Sequence, residues 1–190
     1  MKKQFLKLAV IAIIAGVVAT SCRSRQPSIQ AGSQEVTTPF QESRYRSDDN
    51  HFRAVSSGSS IDHPMAQRIA MQNARTLLAQ AVAITVRAVS EQYADQRQVA
   101  DRQEFQTRLQ QLGRTVADEQ LNDVRVIGER TFREPDGRLT IWVAIEMARE
   151  PFVRSLNTRI SADERLRQDF DINQFRRIFD EEMRNFQENR

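Results

Sequence analysis

The chain has 190 residues, with 28 Lys and Arg against 25 Asp and Glu, and a single cysteine, Cys22. One cysteine excludes an internal disulfide and a cysteine-based metal site. All lysines stand at positions 2, 3 and 7, so the rest of the chain carries 28 − 3 = 25 basic residues, every one arginine, against 25 acidic ones; this neutral balance argues against a nucleic-acid partner, which needs a basic field.

Lys2, Lys3 and Lys7 open the chain, and Leu8 to Ala19 form a run of twelve apolar or small residues before Thr20-Ser21-Cys22. Charge, then apolar run, then small residues is the order of a secretory leader, and the run is shorter than the roughly 20 residues a membrane span needs. Ala19-Thr20-Ser21-Cys22 resembles the bacterial lipobox, whose cysteine takes a diacylglyceryl group and becomes the mature N-terminus; Ala19 departs from it where leucine is commonest. On that resemblance residues 1–21 are a lipoprotein signal peptide, Cys22 is the lipidation site, and a covalent lipid is the one non-protein group expected. The competing reading is an ordinary leader followed by a buried free cysteine.

The remaining 190 − 21 = 169 residues suit one domain with extensions. Residues 23–50 are rich in Ser, Gln, Thr and Pro with few large apolar side chains, too few to offset the entropy of ordering. With Cys22 they read as a lipidated flexible tether, 22–50, spanning on the order of 30 Å as a coil. Arg23, Arg25, Arg44 and Arg46 are offset by Glu35, Glu42, Asp48 and Asp49. By resemblance to Gram-negative lipoproteins, Arg23 rather than aspartate after the cysteine implies the outer membrane, facing the periplasm.

The folded part is expected from His51. Phe52 to Ser56 reads as a short strand entering a Ser/Gly turn. Asp62 precedes His63-Pro64, a helix start, and from Met65 to about Asp95 apolar residues recur at helical spacing: Ala66, Ala70, Ala74, Leu77, Ala81, Ile84 and Ala88, flanked by Ile69, Leu78 and Val89. Alanine on this face predicts a helix lying flat on a sheet. The β-branched section 81–89 is also compatible with a strand, but the helical period runs through it. Residues 96–120 predict a second amphipathic helix on Val99, Phe105, Leu109, Leu112 and Val116, weakened in its middle by Gly113.

Residues 122–147 hold two β-branched runs joined by Glu134-Pro135-Asp136-Gly137, a hairpin turn. Leu139, Ile141, Val143, Ile145 and Met147 share one face, with Val124, Val126 and Phe132 expected to match them; Gly128 marks a bulge. The order of these motifs, "NARTLLAQAV" on the helix, a polar helical insert, then "VIGERTFREPDGRLTIWVAIEM" behind a lipobox, resembles the bacterial lipoproteins of the LPP-twenty type, named for a membrane-associated twenty-kilodalton member. The likeness covers residues 52–150. It implies an α+β domain, 51–152, in which a helix packs on an antiparallel sheet at the cell envelope, and it brings no catalytic residues.

The last segment, 153–190, lies outside that likeness and reads as a C-terminal helical extension. Ser161-Ala162-Asp163-Glu164 fits a capping box, Asp171 a second cap, and Ile172, Phe175, Phe179, Met183 and Phe186 an apolar stripe that either docks on its own domain or offers Phe175, Phe179 and Phe186 to a partner groove. Trp142 stands on the strand face opposite Ile141, either covered by helices or an exposed anchor.

Catalytic and metal patterns are sparse. His51 and His63 lack further ligands, no glycine-flanked elbow holds Ser56, Ser57, Ser59 or Ser60, and lone Gly58 makes no phosphate loop. Asp169, Asp171 and Asn173 imitate the start of a calcium loop, but Gln174 and Asp180 stand where it needs glycine and glutamate. No catalytic residue, metal or further cofactor is expected. The expected function is structural or interactive, with a membrane partner through the lipid and an envelope-protein partner; the alternative is a periplasmic enzyme or small-ligand receptor.

Overall fold

The computed structural model describes residues 37–188, with side chains through Asn185, and shows an α+β fold. Strand β1, His51–Ser60, turns directly into helix α1, His63–Arg97. Asp62 caps the helix by accepting from the Met65 amide at 2.9 Å, and Pro64 sits in the first turn, where no amide donor is needed. The expected Ser/Gly turn is a correction: the strand continues to Ser60, because Gly58 lies where α1 crosses it. A Cβ at Gly58 would stand 2.4 Å from the Ala70 amide nitrogen and 2.6 Å from the Ala66 carbonyl oxygen. Glycine on the strand and alanine on the helix together bring two backbones into contact.

Burial on α1 follows Ala66, Ala70, Ala74, Leu78, Val82 and Val86, steps of four residues. Each such step advances about 40° around a helix of 3.6 residues per turn, so the buried stripe rotates along α1. Leu77 and Ile84, expected on the stripe, are therefore displaced to the outside, 45% and 57% exposed. The same rotation turns the helix from the sheet at its start toward two helical neighbours at its end.

The first neighbour is α2, Arg102–Gln120, capped by Asp101 and burying Phe105, Leu109, Val116 and Ala117. Gly113 is its point of closest approach: a Cβ there would lie 2.7 Å from Val86 Cγ1. A 3-10 turn, Leu121–Asp123, leads into β2, Arg125–Arg133, and β3, Leu139–Ala148. Their turn is closed by the Gly137 amide on the Glu134 carbonyl at 2.9 Å, and Gly137 has φ +86. All pairings are antiparallel, in the order β1-β3-β2.

Ile141, Val143, Ile145 and Met147 are buried on the face that α1 covers, opposite Gly58, Ser56, Ala54 and Phe52 of β1. The bulge falls between Val126 and Gly128 and turns Phe132 onto the other face, opposite Thr140, which corrects its expected place beside the core residues. Val126 remains on the helix side but is exposed, because α1 packs over β1 and β3 and leaves edge strand β2 uncovered.

Three helices complete the chain: α3, Arg149–Ala162, α4, Glu164–Asp169, and α5, Ile172–Glu188. Ser161 is not a cap, since α3, held by buried Ile160, runs through it. Asp163 ends α3 and starts α4 by accepting from the Arg165 and Leu166 amides, both at 3.0 Å. Asp171 caps α5 as expected, accepting from Asn173 and Gln174 at 2.9 and 3.0 Å.

Phe175 and Phe179 are fully buried. Phe179 meets Phe52 of β1 and Phe152 of α3 at centroid distances of 6.4 and 6.0 Å, and Phe175 meets Tyr93 of α1 at 6.0 Å. Both are thus core residues and not partner anchors: a ring surrounded by its own domain is worth about 1.5–3 kcal/mol there and has no area left to offer. The stripe docks on its own domain.

Candidate functional site

The sheet face turned away from α1 carries the polar and aromatic residues of the strands. Its rungs, read across β1, β3 and β2, are Arg53, Glu146 and Arg125; Val55, Ala144 and Gly128; Ser57, Trp142 and Arg130; Ser59, Thr140 and Phe132. In the first two rungs only Arg125, on the edge strand, is exposed. Residues 38–50, expected as the end of the tether, instead belong to the folded unit, which begins at Thr38, and form a strap against this face.

Phe40 is the strap's buried side chain. It reaches the position a side chain at Gly128 would occupy, a Cβ there standing 2.6 Å from Phe40 Cε1. The Tyr45 ring meets it at 4.7 Å, and the Arg130 guanidinium lies 5.5 Å from its centroid. Phe40 takes φ 64, a left-handed conformation that costs a bulky residue on the order of 1–2 kcal/mol, offset by burying its ring. Ser47 holds the strap to the edge of β1, accepting from the Arg53 amide at 2.9 Å.

An ion network closes the strap's other end. Glu146, 5% exposed, accepts from Arg53 Nε at 2.9 Å and from Arg125 Nε at 2.8 Å, while Arg53 also donates to Asp48 at 2.5 Å. His51 Nδ1 lies 3.5 Å from the same Asp48 carboxylate. Burial pushes the Glu146 carboxyl up, but its hydrogen bonds from Arg125 and Arg53 outweigh this and hold it below the ordinary value. For Asp48 burial is likewise overcome, chiefly by Arg53.

The last two rungs are not covered in this way. Trp142 is half-buried at the centre of its rung, Phe132 is 43% exposed, and Thr140 donates to the Ser59 hydroxyl at 3.2 Å. Arg130 has no ion-pair partner among the described residues. The surface is an aromatic and hydroxyl patch bounded by the strap, with one cation, Arg130, that lies over Phe40 and has no carboxylate partner among the described residues.

A second concavity, about 530 Å³, lies between α1 and the second half of α2. Val82, Ala83 and Ala117 contribute its apolar wall, with Arg75, Arg114 and Asp118 around it. It presents one carboxylate, Asp118, and no histidine.

Cys22 lies outside the described residues, and so does the side chain of Phe186. His63 is exposed at the start of α1. Asp171 spends its carboxylate on backbone amides, first that of Gln174, which hold it below the ordinary value. Among the described residues no group of three or more His, Cys, Asp or Glu is placed to hold a metal ion, and no helix is long and apolar enough to cross a membrane. Sequence reasoning missed the strap, the ion network and the groove. The one local signal was Glu146, a charge in the otherwise apolar run 141–147. No family model matches the chain, and neither a curated protein nor a solved structure is significantly similar to it.

Proposed function

We propose that this protein is a lipid-anchored lipoprotein of the LPP-twenty type, held to the outer membrane through Cys22 and facing the periplasm, which acts by binding another envelope protein rather than by catalysis. The anchor rests on the leader and lipobox of residues 1–22. The interaction role rests on one observation: the outer sheet face is half covered by the strap and half open, and the open half presents Trp142 and Phe132 beside Arg130, which stacks on the strap's Phe40 and has no carboxylate partner among the described residues. Aromatics and arginine are the residues that concentrate binding energy at interfaces. Their chemistry selects a protein surface with an apolar recess flanked by carboxylates, since Arg130 supplies the complementary charge.

The test is carried out in living cells with a photocrosslinking residue placed at Phe132, Thr140 or, as a control on exposed α2, Gln111. A discrete adduct from the first two positions and none from the third is expected. Equal labelling at all three would remove the case for this face. Separately, Cys22→Ser should end incorporation of labelled palmitate; a mutant still labelled and membrane-bound would refute the anchor without touching the interaction surface.

A further inference from the structure

The groove between α1 and α2 is distinct from the outer sheet face and from the anchor. Its volume of about 530 Å³ lies within the ~300–1,000 Å³ of small-ligand sites. The two helices touch at Gly113 and Val86, and the groove beside that contact is lined by small side chains, Ala79, Ala83 and Ala117, which keep it from filling. Its rim carries two arginines and one carboxylate. Arg75 Nε is buried without a hydrogen-bond partner, and neither Arg75 nor Arg114 forms an ion pair among the described residues.

Arg75 as a whole is half-buried and lines the groove, so an anion entering there meets a guanidinium that has no carboxylate of its own. A guanidinium fork is best matched by an anionic, planar acceptor, which favours a carboxylate. With Arg75 and Arg114 against Asp118 the charged lining sums to 2 − 1 = +1, the complement of a monoanion and not of a doubly charged phosphate ester. The rest of the wall, Val82, Ala83 and Leu121 among it, asks for an apolar body.

We infer that this groove binds a small amphiphilic monocarboxylate, its carboxylate on Arg75 and its apolar body along Val82, Ala83 and Ala117. Neither the lipid anchor nor the outer-face partner is needed for this reading.

The full-length protein in lipid nanodiscs is titrated calorimetrically with 4-phenylbutyrate, against empty nanodiscs and against 4-phenylbutanol, which keeps the apolar body and lacks the charge. Saturable one-to-one binding of the carboxylate is expected, at least ~10-fold tighter than the alcohol because a charge-assisted hydrogen bond is lost with it. Arg75→Gln should erase that difference. Ala83→Phe, which fills the groove from a half-exposed position, should abolish binding while the melting curve stays that of the parent. Carboxylate and alcohol binding alike, binding that survives Ala83→Phe in a folded protein, or no saturable heat would each overturn the inference.

Discussion

Gly58→Ala is the most discriminating test of how α1 meets the sheet. In an ordinary strand this change stabilises by about 0.5–1 kcal/mol, because glycine loses more backbone freedom on folding. Here the new Cβ would stand 2.4 Å from the Ala70 nitrogen, 2.6 Å from the Ala66 oxygen and 2.8 Å from Ile69 Cβ. Two of those atoms are helix backbone, so no rotamer change relieves the contact. Relief requires shifting α1, which loosens Ala66, Ala70 and Ala74 together, and overpacking of this kind costs typically 1–3 kcal/mol. With the upper figure applying and the propensity gain subtracted, the net loss is about 2 kcal/mol. At about 2–4 °C per kcal/mol for a unit of this size, the melting temperature should fall by about 4–8 °C. Circular dichroism melting and a urea titration read this, with the denaturant slope unchanged. Gly113→Ala is the internal comparison: its nearest contacts are side-chain atoms of Val86, at 2.7 Å and beyond, with no backbone among them, and alanine gains about 1 kcal/mol over glycine in a helix, so its net loss should be smaller. A Gly58→Ala protein as stable as the parent, or more so, would refute the backbone contact.

Tyr93→Phe should destabilise by about 1–3 kcal/mol, since its hydroxyl donates to the Asp169 carbonyl at 2.9 Å and accepts from the Asp171 amide at 2.6 Å; an unchanged urea midpoint would contradict that bridge. The strap should respond to acid: Asp48 and Glu146 are held below their ordinary 3.8 and 4.5 in the folded protein, so unfolding takes up protons, and the network's contribution is whole above those values and lost as pH falls through the lowered ones. Hydrogen exchange at the Arg53 amide should therefore lose its excess protection only below about pH 4.5, and loss between pH 7 and 5 would count against the network. Gly128→Ala should push Phe40 off the sheet and make Arg46 a fast trypsin site at neutral pH, whereas slow cleavage in both proteins would show that Phe40 does not hold the strap.

Where local chemistry decides the outcome, the sequence was readable. Asp62 with Pro64 announces α1, Pro135-Asp136-Gly137 announces the hairpin, and Asp171 with the phenylalanine spacing announces α5, because caps and turns act within a few residues. Reading failed where the deciding atoms lie far along the chain. Ser56 to Ser60 looks like a turn until α1 supplies the surface that makes Gly58 a packing residue. Leu77 and Ile84 fit a helical stripe, but the stripe rotates because α1 changes neighbours along its length. Ser161 and Asp163 both qualify as caps, and burial of Ile160 decides between them. Phe40 is one aromatic in a polar segment, and its seat is created by a missing side chain at Gly128. Trp142 was legible as an outer-face residue; its surroundings were not, since one bulge exchanged Phe132 for Thr131 on the core side. The groove escaped notice because Arg75 and Arg114 look like ordinary surface arginines until two helices are laid side by side.

The strand order β1-β3-β2 has a consequence for how the chain folds. β1 with α1 is a local unit, and so is the β2–β3 hairpin, and each can form within microseconds. The seam between them is remote: Arg53 and Glu146 are 93 residues apart in the chain. Closing a loop of that length costs little more than closing one half as long, yet such distant pairings raise contact order and slow the search. Until the seam closes, Ile141, Val143 and Ile145 sit on a strand whose β1-facing edge is unpaired. This interval, more than any weakness of the finished fold, is when the chain is open to pairing with another copy of itself.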